Sequence, residues 1–257
     1  MTISLSDLGK RFNYDWIFRH LNYQFESNSV YAIIGANGSG KSTLLQIIGG
    51  ALFHNEGIVN YTNDQGANIA DESIFKQISF CAPYLELIEE MTGLEFLNFH
   101  QRFKPFISGV DATTILQKIQ LEKAAQKQIR YYSSGMKQRL KLGQCLFSAT
   151  SVVLLDEPCT NLDATGIEMY QSLVEKLKKD RVVIIASNDP VIDYDWAKVI
   201  SKWKSVFEPK TGQLCITKTS KKQVSIKSDS SDDSDVEEEE APKDKYLSGQ
   251  CLLKFKK

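Results

Sequence analysis

Gly35-Ala36-Asn37-Gly38-Ser39-Gly40-Lys41-Ser42-Thr43 spells a phosphate-binding loop in full. Its glycines let the backbone curl until several N–H groups point at one cluster of phosphate oxygens. Lys41 can then reach the β- and γ-phosphates of a nucleoside triphosphate, and the Ser42 hydroxyl can ligate Mg²⁺. A second patch of chemistry lies far along the chain, where an apolar run ends in Asp156-Glu157-Pro158. Acids at the carboxyl end of a central parallel strand are placed to serve a site there. Asp156 is expected to hold Mg²⁺, from behind the inner ligands or through water. Glu157 is expected to polarise an attacking water as general base.

These groups need elements to position them. Residues 30–34 read as a buried strand entering the glycine run, and Leu44, Leu45, Ile47 and Ile48 give the apolar face of a helix leaving it. A glycine-rich turn with a chance lysine would lack that strand–loop–helix setting. Tyr132-Ser133-Ser134-Gly135-Met136-Lys137-Gln138-Arg139 opens another helical pattern carrying Met136, Leu140, Cys145 and Leu146, with Ser133 as its N-cap. Thr160-Asn161-Leu162-Asp163 then leads into a helix over 166–178.

In this order the segments resemble the ATP-binding cassette (ABC) ATPases, from residue 2 to about residue 207. The stretch 133–139 looks like a variant of that family's LSGGQ signature, and Asn161-Leu162-Asp163 looks like its D-loop. The sequence has no Asn-Lys-x-Asp guanine-reading motif, which argues against a GTPase. The resemblance implies an α/β fold: a P-loop NTPase core with a mostly parallel sheet and flanking helices, a small antiparallel β-subdomain and a helical subdomain. It implies ATP and Mg²⁺ as ligands. It also implies that the signature of one subunit closes over the ATP held by another. Ser133 and the N–H groups of Gly135 and Met136 would form the second anion site at a helix start. For Ser133 taken alone, an N-cap without a ligand is the bland alternative. The resemblance places adenine stacking near the N-terminus, where Phe12 falls, with Tyr14 and Trp16 close enough to compete.

The sequence departs from the family at its switch positions. The family usually has a glutamine soon after the strand read here over 77–82. Tyr84 aligns with it, and Glu86 is the nearest polar substitute. Neither offers an amide that donates and accepts at once. A histidine normally follows the last core strand, read here over 181–186, and Asn188 takes its place. An asparagine amide can donate to the γ-phosphate but carries no charge. Losing one transition-state contact typically costs about 10²–10³ in rate. With Glu157 present, the expectation is tight Mg·ATP binding with slow turnover. Ser134 stands where the family has glycine, adding a hydroxyl near the partner's phosphates.

The chain has 257 residues, 42% hydrophobic and 25% charged, enough for one globular domain with a sizeable core. A net charge of −1 gives no bulk electrostatic case for nucleic-acid binding. No apolar run approaches the roughly 18 residues needed to span a bilayer, and the first residues lack a signal-peptide pattern. Five cysteines at scattered positions, with only three histidines, suit reduced thiols in a cytosolic setting.

The expected organisation is an ATPase domain over 1–220, with its helical subdomain at about 92–150. An acidic flexible segment follows at 221–245, then a short C-terminal strand at 246–257. Residues 2–25 and 56–62 read as strands, and 63–67 as a turn. The helices expected over 93–103 and 113–119 carry Phe96, Phe99 and neighbouring Phe103 and Phe106, as interhelical core or as a docking surface. A short helix is expected over 190–199, then strands over 199–207 and 213–217. Serine and acid fill 228–240, which cannot bury a core.

The leading functional expectation is the ATP-hydrolysing subunit of an ABC transporter. It would work as a homodimer or heterodimer of ABC subunits with a separate integral membrane subunit, peripheral on the inner face of the cell membrane. The alternatives are a soluble ABC-type regulator or assembly ATPase, and a catalytically weakened partner in a heteromer.

Overall fold

The computed structural model describes residues 1–34, 37–188, 203–205 and 217–218. The expected helix over 190–199, the acidic segment 221–245 and the C-terminal strand 246–257 lie outside the described residues.

A three-stranded antiparallel sheet is ordered β2-β1-β4, with β1 at Thr2–Phe12, β2 at Asp15–Glu26 and β4 at Glu56–Thr62. The second sheet is ordered β5-β6-β7-β3-β8-β9. Its members are β3 (Ser29–Ile34), β5 (Ile78–Cys81), β6 (Val152–Asp156), β7 (Val182–Ser187), β8 (Trp203–Ser205) and β9 (Thr217–Lys218). Every pairing from β5 to β8 is parallel, and β9 runs antiparallel to β8. The helices are α1 (Lys41–Ile48), α2 (Asp71–Ile74), α3 (Gly93–Gln101), α4 (Ala112–Lys118), α5 (Ser134–Phe147) and α6 (Ala164–Leu177). Among the described residues, expected and observed elements agree within a few residues at their ends, except that α2 has no counterpart in the sequence reading. Of the strands expected over 199–207 and 213–217, all but 203–205 and 217 lies outside the described residues.

The two-residue period of a strand sends alternate side chains to opposite faces, and here each face meets its own core. Val153, Leu155, Val183 and Ile185 join α3, α4, α5 and α6 in one apolar cluster. Val152, Leu154, Val182, Ile184 and Tyr31 join α1 and the antiparallel sheet in the other. Burying each such aliphatic side chain contributes about 1.5–3 kcal/mol, so the central strands are anchored from both faces. The phenylalanines of the helical region split. Phe96 and Phe106 are buried in the first cluster, whereas Phe99 and Phe103 stay exposed and stack edge to face.

Helix ends are closed by side chains. Thr92 and Glu95 form a capping box at α3, Asp111 caps α4, Ser133 caps α5 and Asp163 caps α6. At the other end of α5 the buried Arg181 guanidinium donates to the carbonyls of Leu146 and Ser148 at 2.6 and 2.7 Å. A cation there satisfies orphan carbonyls and opposes the negative end of the helix dipole. It fixes α5 on the strand that carries Ser187 and Asn188 at its far end.

Candidate functional site

Three adjacent strands end level with one another. Ile34 pairs with Ser187, and Asp156 pairs with Ala186, so the glycine loop after β3, Asn188 after β7 and Glu157 after β6 emerge side by side. Strand spacing of about 4.8 Å puts all three within reach of one small ligand. Gly35 and Ala36 lie outside the described residues. Asn37 and Gly38 form a turn, with Gly38 at φ +81°, and Gly40 at φ +93° leads into α1. A Cβ at Gly40 would sit 2.3 Å from Ile17 Cγ2, so position 40 needs glycine for space as well as for backbone sign.

Lys41 opens α1 and is 6% exposed. Its ammonium lies 3.8 Å from Glu157 Oε1. Glu157 adopts φ +44°, its N–H donates to the Ala186 carbonyl, and its Oε1 accepts the Asn188 N–H at 3.0 Å. The Asn188 amide donates to Asn37 Oδ1, also at 3.0 Å. Asn188 therefore sits against Asn37 of the glycine-rich loop. Asn188→His is expected to raise the steady-state ATPase rate about tenfold or more, by adding a charged donor in that place. A phosphate-release assay checks it, and an unchanged rate would show that residue 188 does not limit turnover.

Asp156 is 1% exposed. Burial pushes its carboxyl pKa upward, while the hydroxyl of Ser42, the ammonium of Lys41 and the hydroxyl of Tyr84 pull it back. Its Oδ1 is buried with no hydrogen-bond partner, and so is Oγ of Ser39 on the loop. Buried polar atoms are ordinarily bonded, so two orphans beside a phosphate cradle mark atoms shaped for something else. A hydroxyl and a carboxylate oxygen are the hard donors that Mg²⁺ prefers, and Ser42 with Asp156 fits that ion.

Tyr84, not Glu86, reaches this acid. Glu86 instead lines a separate groove with Glu89, Lys137 and Lys141. Phe12 lies at the tip of the β1–β2 hairpin, 48% exposed, with the Lys10 ammonium 4.8 Å from its ring centroid. Trp16 is engaged elsewhere, flanked by the guanidiniums of Arg11 and Arg19 at 5.5 and 4.4 Å. Tyr14 is almost fully exposed.

Ser133 and Gly135 are brought together, but not beside Lys41. Ser133 Oγ accepts the Met136 N–H at 3.2 Å, and with Ser134, Gly135 and Arg139 it lines an open groove of about 540 Å³. The cleft at Ser39, Gly40 and Lys41 is lined by Phe18, Leu21, Ile33 and Leu44 instead. The two cradles are still tied through one chain. Buried Gln138 donates to the Pro158 carbonyl at 2.8 Å, and Arg139 bonds Asp163 at 2.6 Å. A Cβ at Gly135 would lie 2.9 Å from the Asn161 carbonyl. Spacing in the sequence could not reveal Gln138 or Arg181, since each bonds carbonyls distant in the chain.

The sequence pattern of the ABC transporter family matches residues 18–160. Similar curated proteins include the uncharacterized ABC transporter ATP-binding protein YybJ of Bacillus subtilis, 27% identical over 72% of this chain and 85% of that one. The lantibiotic transport ATP-binding protein SrtF of Streptococcus pyogenes is 28% identical, over 72% and 79%. The sulfate/thiosulfate import ATP-binding protein CysA of Nitrosomonas europaea is 30% identical over 70% of this chain and 51% of its own length. The fold is shared with the ATP-binding cassette MJ0796, solved as a dimer in a post-hydrolysis state with ADP and phosphate. The TM-score is 0.65 at 23% identity, covering 79% of this chain and 93% of that one.

Proposed function

Since the chain belongs to the ABC transporter family, we propose that it is the ATP-binding and ATP-hydrolysing subunit of an ABC transporter, driving a separate membrane subunit through nucleotide-dependent dimerisation. The observation that carries this reading is the meeting of buried Asp156, its Oδ1 unpartnered, with Ser42, Lys41 and Glu157 at the ends of adjacent parallel strands. Lys41 and the loop N–H groups hold the triphosphate, with the base stacked on Phe12. Ser42 and Asp156 would hold Mg²⁺, which when bound would supply partial neutralisation of the phosphate charge. Glu157 would take a proton from the attacking water, and Asn188 would donate toward the γ-phosphoryl oxygens as that group passes to water and ADP departs.

The cradle at Ser133 completes the site of a second subunit. It is a helix start in a groove that includes no residue of this chain's own phosphate loop, which suits an anion presented from outside. Among the described residues no helix is long and apolar enough to cross a membrane, and the reading assigns movement across a bilayer to a separate integral partner. The chain would lie against that partner at the inner face of the membrane.

Complementation tests the shared site. Lys41→Ala spoils the phosphate loop and leaves the signature intact; Ser133→Arg does the reverse. Each variant alone is expected to be inactive. An equal mixture should recover roughly a quarter of the wild-type rate, because about half of random dimers are mixed and each has one intact site. If wild-type protein hydrolyses ATP but the mixture stays inactive, the sites are not shared.

A further inference from the structure

The loop after β5 carries a phenol to the buried acid. The Tyr84 hydroxyl faces the Asp156 carboxylate. It also accepts a hydrogen bond from Nε2 of Gln46 at 3.0 Å. Gln46 follows Ser42 by one helical turn on α1, so the two side chains leave the same helix face. A phenol oxygen has one proton to give. With the Gln46 amide donating into its lone pairs, that proton is directed toward the carboxylate. Ser42 and Tyr84 therefore approach Asp156 together, while its Oδ1 stays buried and unpartnered.

Packing does not explain this arrangement. Tyr84 is 51% exposed, and a half-exposed ring contributes little to the core. Its hydroxyl nevertheless links polar side chains of two elements: the helix that follows the phosphate loop, and the strand that ends in the acid.

We propose that Tyr84, held by Gln46, is a positioning residue for the cation site, turning Asp156 so that Oδ1 is presented to the Mg²⁺ of a bound nucleotide. This rests on the Mg·ATP reading of the site. A residue that acts through the acid affects Mg²⁺-dependent binding of nucleotide and leaves Mg²⁺-independent binding alone. A residue that merely supports the fold shifts both together.

The test is titration of the full chain with N-methylanthraniloyl-ATP in excess Mg²⁺ and again in EDTA, with an Mn²⁺ titration of the nucleotide complex followed by electron paramagnetic resonance. Tyr84→Phe removes only the hydroxyl. It is expected to weaken nucleotide binding in Mg²⁺, and Mn²⁺ binding to the complex, by about tenfold, the usual worth of a hydrogen bond to a charged group. Binding in EDTA, which also reports that the variant is folded, should match wild type. Gln46→Leu should move the same quantities in the same direction by about threefold. The double variant should lose no more than Tyr84→Phe, because the two residues act as one unit. Wild-type behaviour of Tyr84→Phe in both conditions, or an equal loss in both, overturns the inference. Wild-type protein that binds the probe in neither condition sinks the Mg·ATP reading itself.

Discussion

Lys41→Ala should lower ATP hydrolysis by at least about 10²–10³-fold, with loss of measurable nucleotide binding at micromolar concentrations. The expectation follows from where the ammonium lies. It sits at the start of α1, nearly buried, between the glycine loop and the acids, so its charge is weakly screened by water. It also lies 3.8 Å from Glu157 and helps to keep Asp156 ionised. Removing it takes a cation from the phosphates and leaves two carboxylates facing the triphosphate with less positive charge between them. Binding and turnover then fall together, unlike the loss of a group that acts only in the transition state. Calorimetric titration with ATP and a phosphate-release assay measure the two effects. Turnover within tenfold of wild type would mean that this loop does not hold the reacting phosphates.

Glu157→Gln should separate the two. Hydrolysis is expected to fall by about 10²–10⁴-fold, the range for loss of a general base, while ATP binding is kept or improved. The substitution is nearly isosteric. Glutamine Oε1 can still accept the Asn188 N–H that now reaches Glu157 at 3.0 Å, so the loop geometry should hold. Removing a negative charge from the neighbourhood of the γ-phosphate also relieves repulsion. Because the triphosphate is no longer consumed, the closed dimer should accumulate. Light scattering behind size exclusion in millimolar ATP is expected to show a dimer for Glu157→Gln and largely monomer without nucleotide. A variant that remains monomeric at saturating ATP would remove the main support for a pair of chains closing over shared nucleotides.

Much of this was legible in the order of the residues. A phosphate loop is a local object: glycines at the positions that need positive φ, a lysine and a hydroxyl at the start of a helix, and an apolar strand before them. Gly38, Gly40, Lys41 and Ser42 therefore declare themselves by spacing. The continuous apolar runs 152–155 and 182–186 announce strands buried on both faces, and each is found between two cores. Ser133 announces a helix start because its hydroxyl acts on an N–H only three residues away.

The network between those elements had no such signature. That Tyr84 and not Glu86 reaches Asp156 depends on how the loop after β5 turns, and neighbouring residues in a loop can face unrelated grooves. Trp16 is set apart from Phe12 and Tyr14 by partial burial and by the two guanidiniums that flank it. Arg181 reads in the sequence as a polar strand boundary, yet its partners are carbonyls at the end of a helix more than thirty residues earlier. The sequence by itself determined the chemistry that fits within one turn or one strand: a triphosphate cradle, an acid pair and a capped helix start. Only the tertiary structure decided which groups share a carboxylate and that the two cradles line separate clefts, because those relations are set by the packing of strands and helices distant along the chain. Periodicity records which face of an element is buried, but not which distant side chain it meets there.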